Sequence, residues 1–109
     1  MGREQFISLL DGMSLVFGIY DRDLVIRYLS RQMLVGNPPL TVGRRLDEQV
    51  PIDPRQSEAY KRVFETGKEW SLLDYQPIDP RFPRLHVKVF PLGDEIVVVY
   101  EDAEALEER

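Results

Sequence analysis

Leu85-His86-Val87-Lys88-Val89-Phe90-Pro91-Leu92-Gly93-Asp94-Glu95-Ile96-Val97-Val98-Val99-Tyr100-Glu101-Asp102 reads as two strands joined by a tight turn. Pro91 cannot donate to a ladder and Gly93-Asp94 tolerates positive φ, so the turn is placed at residues 91–94. The first strand alternates, with Leu85, Val87 and Val89 on one face and His86, Lys88 and Phe90 on the other. The second does not alternate. Ile96 to Tyr100 is an unbroken apolar run, the pattern of a central strand covered on both sides. Leaving two or three of those side chains wet would forfeit about 1.5 to 3 kcal/mol each. Helices can cover one face; the other needs the N-terminal segment or a second molecule.

The chain has 109 residues, 43% of them apolar, which suits one core and not two. A net charge of −5, with lysines and arginines scattered among acids, excludes the clustered basic face of a nucleic-acid binder. There is no cysteine, hence no disulfide framework, thiolate metal site or cysteine nucleophile. No apolar stretch approaches the roughly 18 to 20 residues of a membrane span, and no signal-peptide pattern opens the chain, so a cytoplasmic location without membrane contact is expected. Phe6 stands where a myristoylation motif needs Ser or Thr.

Outward from the C-terminal hairpin, Arg3 to Asp11 place Phe6, Leu9 and Leu10 at helical spacing, with Ile7 beside the stripe and Gly12 as a stop. Leu15 to Tyr20 and Val25 to Ser30 are β-rich runs around the polar loop Asp21-Arg22-Asp23-Leu24. Between Arg31 and Val50, Asn37-Pro38-Pro39 and Gly43 leave room only for short helical turns. Asp53-Pro54 has the chemistry of an N-cap followed by proline at the first helical position, which predicts a helix over 54–66 burying Ala59, Tyr60, Val63 and Phe64 and stopping at Gly67. Residues 69–76 form a third strand centred on Trp70 and Leu72, and a stiff proline loop leads to the final hairpin. Pro-Ile-Asp-Pro-Arg occurs at both 51–55 and 77–81, but its flanks differ and it is read as two similar proline turns. After Tyr100, residues 103–109 read as the start of an exit helix capped by Asp102.

This order, with Leu10-Asp11-Gly12-Met13, Ile19-Tyr20-Asp21, Ile26-Arg27-Tyr28, Val42-Gly43-Arg44 with Leu46, Val63-Phe64-Glu65-Thr66-Gly67, Phe90-Pro91-Leu92 and Val98-Val99-Tyr100-Glu101-Asp102, resembles a PAS domain over nearly the whole chain. The pattern departs at Ser30, where the family usually has Asn, and at Asp102-Ala103-Glu104, where Asp-Ile-Thr commonly opens the exit helix. The resemblance implies an α+β fold with a five-stranded antiparallel sheet, the last strand beside the first, short helices on one face and the N-terminal helix on the other. The expected organisation is a cap helix over 1–12, a PAS-like domain over 13–102 and an exit helix from 103. The implied role is that of a sensory and interaction module of a bacterial signalling protein, such as a histidine kinase or transcription regulator, feeding an output domain of a longer parent. Asp102 and Leu106 would carry the signal out.

His86 is the only histidine and no Gly-x-Ser-x-Gly elbow accompanies it, so neither a catalytic triad nor a metal site is expected. In the family, haem commonly needs a histidine on the long helix and the light-sensing flavin adduct needs a cysteine. The chain has neither at those places, so haem and cysteinyl-adduct flavin are disfavoured and no cofactor is expected. What remains is a pocket for an unknown small apolar ligand, with candidate walls Phe17, Ile19, Tyr28, Met33, Leu46, Tyr60, Phe64, Trp70, Leu72 and Phe90, and with His86, Arg27 and Lys88 as polar candidates. Phe6, Leu9 and Leu10 are candidates for a homodimer interface, because a helix of roughly two turns is narrow cover for a sheet. The alternatives are a ligand-free dimerisation domain and an isomerase-type enzyme with Asp or Tyr in an apolar cavity; the chain is expected not to be an enzyme.

Overall fold

In the computed structural model, which describes residues 2–35, 40–78, 80 and 82–103, the strand of three valines is the spine of the molecule. The elements are α1 (Arg3–Gly12), β1 (Val16–Tyr20), β2 (Ile26–Leu29), α2 (Arg31–Leu34), a 3₁₀ turn at Leu46–Glu48, α3 (Pro54–Thr66), β3 (Trp70–Tyr75), β4 (Leu85–Leu92) and β5 (Glu95–Asp102). The strands form one antiparallel sheet in the order β2-β1-β5-β4-β3, so β5 pairs with β1 on one side and β4 on the other. Ile96, Val97, Val98 and Val99 are all buried. The chain folds as an α+β unit with an open five-stranded sheet.

The turn is tighter than the sequence suggests. Leu92 pairs with Glu95, leaving only Gly93 and Asp94 in the loop, with Gly93 at φ +59°. Pro91 therefore lies inside β4, opposite Ile96. It is tolerated because the alternation of an antiparallel ladder turns its nitrogen away from β5, and β3 begins two residues further in, at the Trp70–Val89 pair.

The two faces of β5 belong to different cores. Ile96 and Val98 join Tyr20, Ile26, Leu29, Tyr60, Val63, Val87 and Val89 on the side of α3. Val97 and Val99 join Phe17, Ile19, Ile7 and Leu10 on the side of α1. Leu9 does not share this burial; it is 49% exposed, because the docked face of α1 runs through Ile7 and Leu10. α1 buries Val97 and Val99 within a single chain, so this stretch of the outer face is covered without a second copy. Around the cluster, Arg3 pairs with Glu95 at 2.8 Å, Tyr28 donates to Asp11, and the Phe17 and Tyr28 rings stack at 5.6 Å.

Ser30 is completely buried at the start of α2. Its Oγ accepts from Phe17 N at 3.0 Å and its own N donates to Phe17 O at 2.9 Å, so it clamps β2 to β1 instead of capping the helix. Asp53 caps α3 through Gln56 N at 2.9 Å, Pro54 opens it and Gly67 closes it at φ +66°. The C-terminal residues 104–109, Leu106 among them, lie outside the described residues, as do Asn37, Pro38 and Pro39. Asp102 is the last residue of β5 and Ala103, fully buried, donates to Arg84 O at 3.0 Å.

Candidate functional site

Between the α3 face of the sheet and the segments that cross it lies a cavity of about 260 Å3. Met33, Leu40, Leu46 and Val50, from the stretch between β2 and α3, form one wall. Phe82, Leu85 and Val87 form another, and Gln32, Gln56, Tyr75 and Tyr100 are the polar side chains that line it. No Lys, Arg, Asp or Glu is among the lining residues.

Those polar groups belong to a hydrogen-bonded chain. The Tyr20 and Tyr100 hydroxyls are hydrogen-bonded at 2.7 Å, either one able to donate, and the Tyr60 hydroxyl lies 3.5 Å from that of Tyr100. Gln56 Nε2 donates to Tyr60 Oη at 2.5 Å. Tyr75 donates to Asp53, with Gln56 Oε1 at 3.4 Å. The scaffold explains each position. Gln56 and Tyr60, four apart on α3, share one helix face, while Asp53 is fixed by its duty as the cap. Val16, Gly18, Tyr20, Val98 and Tyr100 fall on the α3 side of β1 and β5 by strand alternation.

Two irregularities complete the site. In β3 the register shifts between Leu72 and Tyr75, with Asp74 at φ +56°, and the extra residue turns Tyr75 inward where strict alternation would have placed Asp74. Leu73 is left 63% exposed, and Asp74 pairs with Arg84 at 2.6 Å. In β1 the Tyr20 ring lies across Gly18: a Cβ there would meet the Tyr20 Oη at 2.7 Å and Cε1 at 2.8 Å. Gly18→Ala is accordingly expected to displace the ring and break its bond to Tyr100, at about 1 to 3 kcal/mol in chemical denaturation. A variant as stable as the parent would show that the ring has other room.

Burial, first of all, holds the Tyr20, Tyr60, Tyr75 and Tyr100 phenols above their ordinary pKa, because a phenolate would be desolvated there. Tyr60 also raises Tyr20, Tyr100 raises Tyr60, Tyr20 raises Tyr100, and Asp53 raises Tyr75. The hydroxyls are therefore neutral donors at any physiological pH. Asp53→Ala would remove both the α3 cap and the acceptor for Tyr75, with an expected loss of about 2 to 4 kcal/mol in urea unfolding. Asp53→Asn keeps one acceptor oxygen, enough for the cap on Gln56 N, and sets an NH2 that cannot accept against the Tyr75 hydroxyl, so it should cost less than Asp53→Ala by about the worth of the cap, about 1 kcal/mol. Equal losses from the two substitutions would contradict this assignment.

Of the residues the sequence singles out, Met33 and Leu46 line the cavity. Tyr60 stands behind Gln56 in the hydrogen-bonded chain, and Leu72 is buried in the same core without reaching the cavity. Phe64 packs at the edge of that core, under the Arg22 guanidinium at 5.1 Å. Trp70 is 39% exposed beneath Arg62, 4.2 Å from its ring centroid, so its emission reports the α3–β3 contact and not the cavity. Phe17, Ile19, Tyr28 and Phe90 sit on the opposite face with the α1 cluster, because alternation along β1, β2 and β4 points them away from α3. The polar candidates are engaged elsewhere: Arg27 with Asp21 at 2.8 Å, Lys88 with Glu101 at 2.9 Å, and His86, whose Nδ1 accepts from Asp74 N at 3.0 Å. Gln56, Tyr75, Tyr100, Tyr20 and Asp53 escaped the sequence reading as site residues. The spacing of Gln56 and Tyr60 on one helix face was a usable signal; the bulge that turns Tyr75 was not.

No protein-family model matches the sequence, and no curated protein is similar to it. Among the described residues there is no group of three or more His, Cys, Asp or Glu placed to hold a metal ion, and no helix long and apolar enough to cross a membrane.

Proposed function

We propose that this chain is a PAS-like sensory module that binds a small molecule between its sheet and α3 and passes a conformational bias to flanking segments. The observation that carries the reading is the cavity of about 260 Å3, apolar on most sides and backed by the Gln56–Tyr75–Tyr100 group. The strand order, with β5 between β1 and β4, supports the family resemblance. β5 is the element through which a signal would travel: its Tyr100 touches the cavity, while Val97 and Val99 on its other side touch the α1 cluster. A ligand can bias that sheet only by binding one of two packings more tightly than the other.

The isomerase-type alternative asks for a carboxylate or phenol free to act on a substrate. Asp53 does stand near the cavity, but one oxygen accepts from Gln56 N, the other from Tyr75, and neither lines the space. The Tyr75 and Tyr100 phenols do line it, but burial holds them neutral and no carboxylate or histidine stands among the lining residues to act with them, so we assign the chain no catalytic step. The second reading is self-association. Met13, 59% exposed, lines a shallow groove with Phe6, Leu15 and Phe90, Leu9, 49% exposed, lies with Met13 on the adjoining outer side of α1, and light scattering at high micromolar concentration would reveal a dimer built on that face.

Native mass spectrometry of the purified chain, followed by a thermal-shift screen of small apolar compounds, tests the ligand reading. A ligand at about 100 times its Kd adds about 2.7 kcal/mol, which raises the melting temperature by roughly 10 °C in a domain of this size. A screen in which nothing co-purifies and nothing shifts the melt would leave self-association as the better account.

A further inference from the structure

Resting on that ligand-binding reading, the proton inventory around the cavity specifies the chemistry of the ligand. The hydroxyls of Tyr20, Tyr60, Tyr75 and Tyr100 and the side-chain amide of Gln56 together carry six protons. The hydrogen bonds that join these groups to one another and to Asp53 are five: Tyr20–Tyr100, Tyr60–Tyr100, Gln56–Tyr60, Tyr75–Asp53 and Tyr75–Gln56. Each bond uses one proton at most, so at least one donor is left over. Exchanging the oxygen and nitrogen of the Gln56 amide does not change this count, since the amide keeps both its protons. The groups of this hydrogen-bonded set that border the cavity are Gln56, Tyr75 and Tyr100; Gln32, which also lines it, donates to Ser14 O at 3.4 Å and bonds to none of them.

We infer that the cavity takes an uncharged, ring-sized molecule carrying a hydrogen-bond acceptor, such as an aromatic ketone or aldehyde. A surplus donor facing an apolar space is costly to leave unmade, and an acceptor on the ligand relieves it. Charge is disfavoured in both signs. An anion would enter beside the Asp53 carboxylate with no lining cation to balance it, and a cation would present no acceptor. Size follows from volume: an apolar cavity of about 150 Å3 holds benzene, so about 260 Å3 accommodates a substituted single ring.

Acetophenone, ethylbenzene and benzoate share a ring and differ in the acceptor and its charge, so their binding to the 109-residue chain at pH 7, measured by calorimetry and by amide chemical shifts of the lining residues, is the test. Acetophenone is expected to bind roughly tenfold tighter than ethylbenzene, the worth of one well-made hydrogen bond, and benzoate weaker than acetophenone. Gln56→Glu removes two protons and keeps the shape, so four protons then face the same acceptors and none is in surplus. In this variant acetophenone should lose its advantage over ethylbenzene, whatever the change in the affinity of both. If ethylbenzene or benzoate matches acetophenone in the parent chain, the acceptor inference falls although the cavity binds rings. If none of the three binds, the ligand-binding reading fails, and this inference with it.

Discussion

Leu10→Asp is expected to cost about 4 kcal/mol in urea unfolding, and Leu9→Asp less than about 0.5 kcal/mol, although the two residues are neighbours on a short surface helix. Leu10 is 8% exposed and packs with Ile7, Phe17, Ile19, Val97 and Val99, whereas Leu9 is 49% exposed. Truncating a buried leucine to alanine already costs about 2 to 5 kcal/mol, and a carboxylate in that setting adds an unpaired charge. Light scattering on the same samples separates two origins of the loss. If the parent chain is monomeric and its stability does not depend on concentration, α1 alone covers the outer face. Stability that rises with concentration would instead locate part of Leu10's worth between copies. A Leu10→Asp chain within 1 kcal/mol of the parent would remove α1 from the folded unit altogether.

That contrast marks how far periodicity reaches. The valine run of β5 announces burial on both faces because no polar residue interrupts it, and Asp53-Pro54 with Gly67 bounds α3 because cap chemistry is local. Helical spacing in α1 identified a stripe but could not decide between Ile7 and Leu9 as its flank, a choice made by the angle at which the helix meets the sheet. The pocket was harder. Phe17, Ile19, Tyr28 and Phe90 look like pocket walls in a list of large apolar residues, yet strand alternation assigns them to the α1 side once Val97 and Val99 are known to face it. The polar lining was nearly invisible for a different reason. Tyr75 reaches the cavity through a bulge, and Tyr20 reaches Tyr100 because Gly18 leaves space beneath its ring, and neither depends on a pattern that recurs along the chain.

The same phenols make the protein sensitive to alkali. The four tyrosines of the hydroxyl cluster, like Tyr28 beside Asp11, keep their protons in the fold above the pH at which the unfolded chain gives them up, near 10. For an acid whose pKa is raised by folding, the unfolded state binds fewer protons than the native state in the window above the unfolded value. Stability is therefore complete below about pH 10 and falls as pH climbs beyond it. Each such phenol removes up to about 1.4 kcal/mol per pH unit while the unfolded group is ionised and the folded one is not, so several acting together erode a stability of about 5 to 15 kcal/mol within a few pH units. Absorbance near 295 nm should show almost no phenolate up to pH 10.5 and then a cooperative rise that coincides with loss of far-ultraviolet circular dichroism. Tyr20→Phe removes one titrating group from the cluster and should make the slope of stability against pH above about 10 shallower. Independent, non-cooperative ionisation of the tyrosines near pH 10, with the fold intact, would mean that the hydroxyl cluster is open to water and that the cavity behind it is not dry.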